Sequence, residues 1–260
     1  MNDHPDLNSS LYSNETIDAL GYSDLRMIQP KKGFRTTIDP VLLADFARVK
    51  KNERWIDLGT GGGVLPLLLA KREKTLHLTG VEIDQESADR AKRNVILNKF
   101  EEQIDIIHAD ILDLRKSHAA QSFAAIITNP PYRQPESGRI SQGAGRAIAR
   151  HEIHGTLDDF LDISRYLLKN DGRFYAIYLS GRLPELLSKM SIRNIEPKRM
   201  RCIHSDRQKE ASLVLIEGRR SGRPGLTIES PLFIYTGEDF TEEVRVLAGS
   251  FIESANQDPE

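Results

Sequence analysis

Residues 54–71 read RWIDLGTGGGVLPLLLAK, and this stretch decides the fold. Residues 54–58 read as the first strand of a sheet, and they run straight into Gly59, Thr60, Gly61, Gly62 and Gly63. Residues 64–71 then read as a helix whose Pro66 falls in the first turn, where a missing N–H is tolerated. Strand, glycine loop and helix together open a βαβ unit of the nucleotide-binding kind. Glycine lets the backbone turn tightly and approach a ligand without Cβ interference, while the helix N-terminal amides face that ligand. A second strand over residues 77–81 ends in Glu82, Ile83 and Asp84. That position, about 20 residues beyond the loop, suits an acid that accepts both hydroxyls of a ribose.

Downstream the alternation of strand and helix continues. Residues 85–98 form an amphipathic helix with Ala88, Ala91, Val95 and Ile96 inward, and residues 104–108 a third strand followed by Asp110. Asp110 reads either as an acceptor for the amino group of an adenine or as a helix N-cap. The fourth strand, residues 124–127, stops at Asn129, Pro130, Pro131 and Tyr132. Two prolines cannot donate ladder hydrogen bonds, and Pro130 pushes Asn129 toward an extended conformation, so an amide is delivered at the strand's carboxyl end. A helix over 157–168, a stop at residues 169–172, a strand over 173–179, a helix over 183–190 and strands over 195–204 and 211–217 complete the pattern. The short connection between the last two predicts a hairpin. The expected fold is therefore α/β: a Rossmann-like, doubly wound, seven-stranded mixed sheet with an antiparallel C-terminal strand and helices on both faces.

Upstream, residues 1 to about 20 are polar and predict a disordered or loosely attached lead. Residues 41–49 predict a covering helix with Asp39 as N-cap and Pro40 in its first turn. Residues 133–155 are a polar, Gly- and Arg-rich connection of the length associated with function, read as a substrate-facing lid.

Composition narrows the class. No apolar run approaches the roughly 20 residues of a membrane span, and the N-terminus lacks the basic and apolar regions of a signal peptide. These features predict a cytoplasmic protein with no membrane partner. One cysteine, Cys202, excludes an internal disulfide, and His151 and His154 lack ligand-spaced partners, so no metal is expected. The net charge of −2 conceals an uneven distribution: residues 133–150 hold four Arg against one Glu, and residues 193–223 hold nine Lys or Arg against four Asp or Glu. A local phosphate-binding face on an acidic body is one reading of that asymmetry.

The glycine loop is compatible with hydride transfer or with methyl transfer, and the Asn129 motif discriminates between them. Hydride transfer calls for a general acid or base near the nicotinamide, which an asparagine between a strand and two prolines does not supply. Transfer to a planar amine needs acceptors on its two N–H bonds as positive charge develops on nitrogen. The Asn129 side-chain oxygen and the Pro130 carbonyl are suited to that task, with Tyr132 stacking on the ring.

In order and spacing, residues 56–63, residues 81–84, Asp110 and the Asn129-Pro130-Pro131-Tyr132 motif resemble class I S-adenosylmethionine-dependent methyltransferases of the amino-methylating group. Residues 34–43, the short N-terminal extension and the Arg-rich loop further resemble the tRNA1(Val) adenine-N6 methyltransferase family, which methylates the adenosine just 3′ of the anticodon. The resemblance implies an N-terminal extension over residues 1–36, a methyltransferase domain over 37–218 and a C-terminal extension over 219–260. It implies that Asp57, Gly59, Thr60, Gly61 and Gly63 wrap the methionine part of S-adenosylmethionine, with Glu82 and Ile83 at the ribose and Asp110 and Ile111 at the adenine. Thr37 and Asp39 help close the cofactor site, and Asn129 borders it. Asn129, Pro130 and Tyr132 would be catalytic, with Pro131 and Tyr132 against the substrate base. For a tRNA substrate, Lys31, Lys32, Arg35, Arg139, Arg146 and Arg150 are the candidate phosphate contacts. The loop departs from the family pattern at Gly62, where a bulkier residue is frequent, and an extra-flexible loop is one consequence. Alternatives are a glutamine-N5 methyltransferase acting on a release factor, a DNA or ribosomal RNA adenine methyltransferase, and an idle cofactor- or RNA-binding module.

Overall fold

The structure, a computed structural model, describes residues 11–20, 22–33, 35–130 and 155–248. An antiparallel hairpin comes first, β1 (Glu15–Leu20) with β2 (Tyr22–Pro30). Helix α1 (Asp39–Phe46) precedes the alternating unit β3 (Arg54–Leu58), α2 (Val64–Arg72), β4 (His77–Glu82), α3 (Gln85–Leu97) and β5 (Ile104–His108). A short α4 (Leu114–Ser117) leads to β6 (Phe123–Thr128), and α5 (Leu157–Leu167), β7 (Leu168–Leu179), α6 (Leu183–Ile192), β8 (Ile195–His204) and β9 (Ala211–Arg220) follow. The chain then adds two-residue strands β10 (Thr227–Ile228) and β11 (Leu232–Phe233), a small hairpin of β12 (Tyr235–Thr236) and β13 (Asp239–Phe240), and α7 (Glu242–Ala248).

The central sheet runs β10-β8-β9-β7-β6-β3-β4-β5, with β11 also paired to β8. Strands β3 to β7 pair in parallel, and β9 runs antiparallel to both β7 and β8. The seven predicted strands are all present. The additional members, β10 and β11, are too short to leave a periodicity in sequence. From β3 the chain moves outward through β4 to β5, then returns to the other flank of β3 with β6. This reversal puts a crevice at the carboxyl ends of β3 and β6, the place where open α/β sheets bind ligands.

Both faces of the sheet are buried, which is why its strands read as continuous apolar runs. Alternation along each strand sorts them into two cores. Trp55, Ile127, Tyr175 and Ile177 pack with α1 and α2, whereas Ile56, Leu58, Ile126 and Phe174 pack with α5 and α6. The Trp55 and Tyr175 rings stack at 5.5 Å. Among the described residues, no helix is long and apolar enough to cross a membrane.

Four local expectations differ from the structure. The N-cap of α1 is Ile38, without a side-chain bond, and Asp39 is already helical; its N–H is 3.4 Å from Thr37 Oγ1. Residues 169–172, expected to stop a helix, lie inside β7, where Asp171 takes a φ of 60° and the register against β6 shifts. Ile96, expected to face inward on α3, is 54% exposed, whereas Ala88, Ala91 and Val95 are buried. Finally, residues 15–20 are a paired strand rather than a loose lead. Their anchor is ionic: the Glu15 side chain is 1% exposed and accepts from Arg90 at 3.0 Å and Arg93 at 2.7 Å, both on α3. A polar strand held by charge carries no apolar alternation to read.

Burial alone would raise the Glu15 carboxyl. The bonds from Arg93, the Tyr12 amide and Arg90 outweigh it and hold the group at about 2, below its usual 4.5. Stability from a depressed carboxyl is present above the unfolded value and is lost as pH falls through the folded one. Glu15→Gln is therefore expected to lower stability by about 3 kcal/mol at neutral pH, because it leaves two arginines without their buried partner. The gap between parent and variant in urea denaturation is expected to close as pH falls from about 4.5 toward about 2.

Candidate active site

At the carboxyl end of β3 the backbone turns under the next strand. The Gly59 and Thr60 amides both donate to Val81 O at 2.9 Å, and Gly59, Gly61 and Gly63 take positive φ values of 74°, 55° and 86°. These angles explain why three glycines stand here. Gly62 does not have a positive φ. A Cβ at Gly62 would lie 2.6 Å from Met27 Cε, so a side chain from the N-terminal hairpin occupies the space that a bulkier loop residue would fill. The expectation of extra flexibility at Gly62 meets this contact.

Glu82 ends β4 and is 6% exposed. Its Oε2 accepts from the Gly61 amide at 2.8 Å, and its Oε1 accepts from the Ile83 and Asp84 amides, both at 2.9 Å. Three of roughly four acceptor positions are thus filled by backbone. A ribose hydroxyl can be accepted at Oε2 directly, and a second requires a backbone amide to yield. Asp84 caps α3 through Ser87 N. Asp110 accepts from Leu112 N at 2.9 Å, so its carboxylate serves as an N-cap in this structure. Ile111 beside it is buried.

Asp57 is 1% exposed on β3, and among the described residues neither of its oxygens nor Thr60 Oγ1 has a partner in hydrogen-bonding geometry. Burial pushes the Asp57 carboxyl up to about 7; the nearby Thr60 hydroxyl opposes the rise and the Glu82 charge adds to it. Buried polar atoms without partners are costly and call for an explanation. A ligand that carries positive charge and hydroxyl groups would supply the missing partners, and S-adenosylmethionine, with its ammonium, sulfonium and ribose, has that chemistry.

The β6 end is tied to the same place. Thr128 is fully buried and its hydroxyl donates to Leu58 O at 2.8 Å, which carries Asn129 and the buried Pro130 alongside Gly59. On α5, the Phe160 ring packs on the other side of Gly59, where a Cβ would sit 3.7 Å away. Phe160 also neighbours Gly155 and Ile111. Sequence reading missed Phe160, Met27 and Asn94. Only Asn94 left a signal, as a polar residue on the apolar face of α3.

Topology brings Asp57, Gly59, Thr60, Gly61, Gly63, Glu82, Ile83, Asp110, Ile111, Asn129 and Pro130 to one edge, that of the carboxyl ends of β3 to β6. Thr37 and Asp39 stand at the head of α1, which packs on α2. Pro131, Tyr132, Arg139, Arg146 and Arg150 lie outside the described residues. Lys32 is exposed, Lys31 donates to Ser13 O at 2.9 Å, and Arg35 pairs with Asp18 at 2.8 Å. Part of the basic run over residues 193–223 is engaged internally. Arg193 pairs with Asp158 and Asp162, Arg199 with Glu217 and Glu229, and Arg201 with Glu243. A cavity of about 720 Å³ opens near Arg26, Lys71 and Phe100, where β2 meets the C-terminal ends of α2 and α3 and thus away from this edge.

A family profile described as methyltransferase small domain matches residues 38–176. The chain is similar to the tRNA1(Val) (adenine(37)-N6)-methyltransferase of Aliivibrio salmonicida, with 29% identity across 84% of this chain and 91% of the relative. It is also similar to the enzyme of that name from Mannheimia succiniciproducens, with 30% identity across 67% of this chain and 72% of the relative. Among solved structures, a predicted O-methyltransferase from Agrobacterium tumefaciens superposes with a TM-score of 0.66 at 22% identity, covering 81% of this chain and 95% of that one. Geranyl diphosphate C-methyltransferase from Streptomyces coelicolor superposes with a TM-score of 0.53 at 15% identity, over 70% and 78%. At such identities the structures support the fold alone.

A carboxyl raised by burial is protonated in the folded protein across a range where the unfolded chain has lost its proton, so it lowers stability as pH rises from about 4 to about 7. Asp57→Asn is expected to make the ligand-free protein more stable near pH 8, by on the order of 3 kcal/mol, and to leave the two proteins alike near pH 4. The same variant is expected to bind S-adenosylmethionine roughly tenfold or more weakly. In the parent, calorimetry near pH 6 in buffers of different ionisation enthalpy is expected to show proton release on binding. No proton release, together with unchanged affinity in the variant, would separate Asp57 from the cofactor.

Proposed function

The chain belongs to the methyltransferase small domain family and is an S-adenosylmethionine-dependent methyltransferase of the adenine-N6 type, and from that premise we propose that its substrate is the adenosine just 3′ of the anticodon in a tRNA. The observation that carries this reading is the junction of β6 with the glycine loop, where the Thr128 bond to Leu58 O sets Asn129 and Pro130 beside Gly59. The names of the relatives give the tRNA and the nucleotide.

S-adenosylmethionine, when bound, supplies the methyl as an electrophilic carbon on a sulfonium. The chain's task is to hold a poorly nucleophilic planar amine in line with it. In this reading the Asn129 side-chain oxygen and the Pro130 carbonyl accept the two N–H bonds, and they bond more strongly as positive charge builds on nitrogen. Pro130 fixes the angle between the two acceptors, because its ring removes a backbone freedom and restricts Asn129 to extended conformations. Tyr132 stacks on the base, and the excess proton leaves to solvent after transfer. An anticodon-loop adenine reaches such a pocket by leaving its stack, and exposed cations such as Lys31 and Lys32 bind the flanking phosphates.

The test is methyl transfer from labelled S-adenosylmethionine to unmodified tRNA, with digestion to nucleosides. Label is expected in N6-methyladenosine, and Asn129→Ala is expected to lower kcat by roughly 100-fold or more while still binding the cofactor. Label in a release-factor glutamine and none in tRNA would replace the RNA reading with the protein-methylating one. A second measurement concerns the cations: Lys31→Ala combined with Lys32→Ala is expected to reduce the slope of log affinity against log salt by roughly 1 to 2. An unchanged slope would remove this segment from the RNA contact.

A further inference from the structure

We propose that Asn94 is a positioning residue for the cofactor loop, tying the Gly62 carbonyl to the N-terminal hairpin. Asn94 lies on α3, wholly buried. Its Oδ1 accepts from the Ile28 amide at 2.6 Å, and its Nδ2 donates to Ile28 O at 3.2 Å and to Gly62 O at 2.9 Å. An amide side chain offers one oxygen and two N–H groups, and all three are engaged. No other small side chain satisfies an unpaired strand N–H, an unpaired strand carbonyl and a loop carbonyl at once.

The arrangement follows from matching pitches. Asn98, the C-cap of α3 one turn further on, treats Arg26 as Asn94 treats Ile28: it accepts from the Arg26 amide at 2.9 Å and donates to Arg26 O at 2.7 Å. Four residues of helix rise about 6 Å and two residues of strand about 6.7 Å, so an Asn pair spaced i, i+4 reads alternate residues of β2. The helix thereby satisfies the open edge of a two-stranded hairpin. The two asparagines differ in one respect. The remaining Asn98 bond goes to Asn94 O within the helix, whereas the remaining Asn94 bond goes to the loop.

That bond fixes one peptide unit of the loop from both ends. The Gly62 carbonyl is held by Asn94, and the Gly63 amide of the same peptide donates to Thr60 O at 2.9 Å. Gly63 is the N-cap residue of α2, so the orientation of this peptide sets how the loop enters the helix. Met27, next to Ile28 on β2, packs over Gly62, and the Ala91 Cβ limits the space at Gly63 to 3.3 Å. The hairpin and α3 together form the mould against which the cofactor loop is shaped. This role depends on the cofactor alone and holds whichever amine is methylated.

The experiment compares Asn94→Ala with Asn98→Ala in the full chain, measuring S-adenosylmethionine affinity by titration calorimetry, thermal stability, and steady-state kinetics. Both variants loosen the hairpin and are expected to lower Tm. Only Asn94→Ala is expected to weaken cofactor binding, by about tenfold, raising KM for S-adenosylmethionine while kcat at saturation stays within about twofold. If the alanine variant does not fold, Asn94→Asp and Asn98→Asp are compared instead. Each keeps the acceptor for the strand N–H and loses the donor to the strand carbonyl, but only Asn94→Asp also loses the donor to Gly62 O, and only it is expected to lose cofactor affinity. Equal cofactor affinities in the Asn94 and Asn98 variants, whether both weakened or both unchanged, would overturn the proposal.

Discussion

A carboxyl at Asp57, sealed on the central strand with neither oxygen partnered among the described residues, is the constraint around which this end of the sheet is arranged. A polar group in that state lowers stability, and here the cost grows with pH as the charge develops. The surroundings keep it in place. Parallel pairing on both sides of β3 fixes the backbone, Gly59 turns the chain immediately afterwards, and Glu82 on the adjacent strand adds a second acid at the same edge. The protein holds two carboxylates where a cationic, hydroxyl-bearing ligand would complete them.

The second acid is treated differently from the first. Three backbone amides converge on Glu82, and one of them belongs to Gly61 of the loop. Through that bond the carboxylate holds the loop directly. The loop is further held from outside by Asn94 and Met27, and from the opposite face by Phe160. A glycine-rich segment has the largest conformational freedom to lose, and here contacts from three separate parts of the chain restrain it.

Charge is distributed with similar economy. The long basic run over residues 193–223 looks in sequence like a phosphate-binding face. In the structure Arg199 is buried over the Phe46 ring at 3.7 Å and paired with two glutamates, while Arg193 clamps α6 to α5 through Asp158 and Asp162. The acids that neutralise these arginines come from other elements, up to 42 residues away in the case of Arg201 and Glu243. A window of sequence records the cations and omits most of their partners: Glu217 falls inside it, whereas Asp158, Asp162, Glu229 and Glu243 do not. Net charge over a segment thus overstates what is left for an external ligand.

The order of strands and helices was legible in residues 39–220 because a sheet covered on both faces demands apolar runs, glycine turns and amphipathic helices, each with a local signature. So was the edge at which the candidate residues gather, since the strand after which each one falls can be read directly. The N-terminal hairpin was not legible. Its strands are anchored by Glu15 to two arginines and by edge amides to Asn94 and Asn98, contacts 66 to 78 residues apart in sequence. Sequence by itself determined the α/β framework and the chemistry of its loop ends, because those follow from local pattern. Tertiary structure alone decided which asparagine reaches the loop, which arginines of residues 193–223 are paired internally and which carboxyl stays unpaired among the described residues, because each depends on partners brought together only when the chain folds.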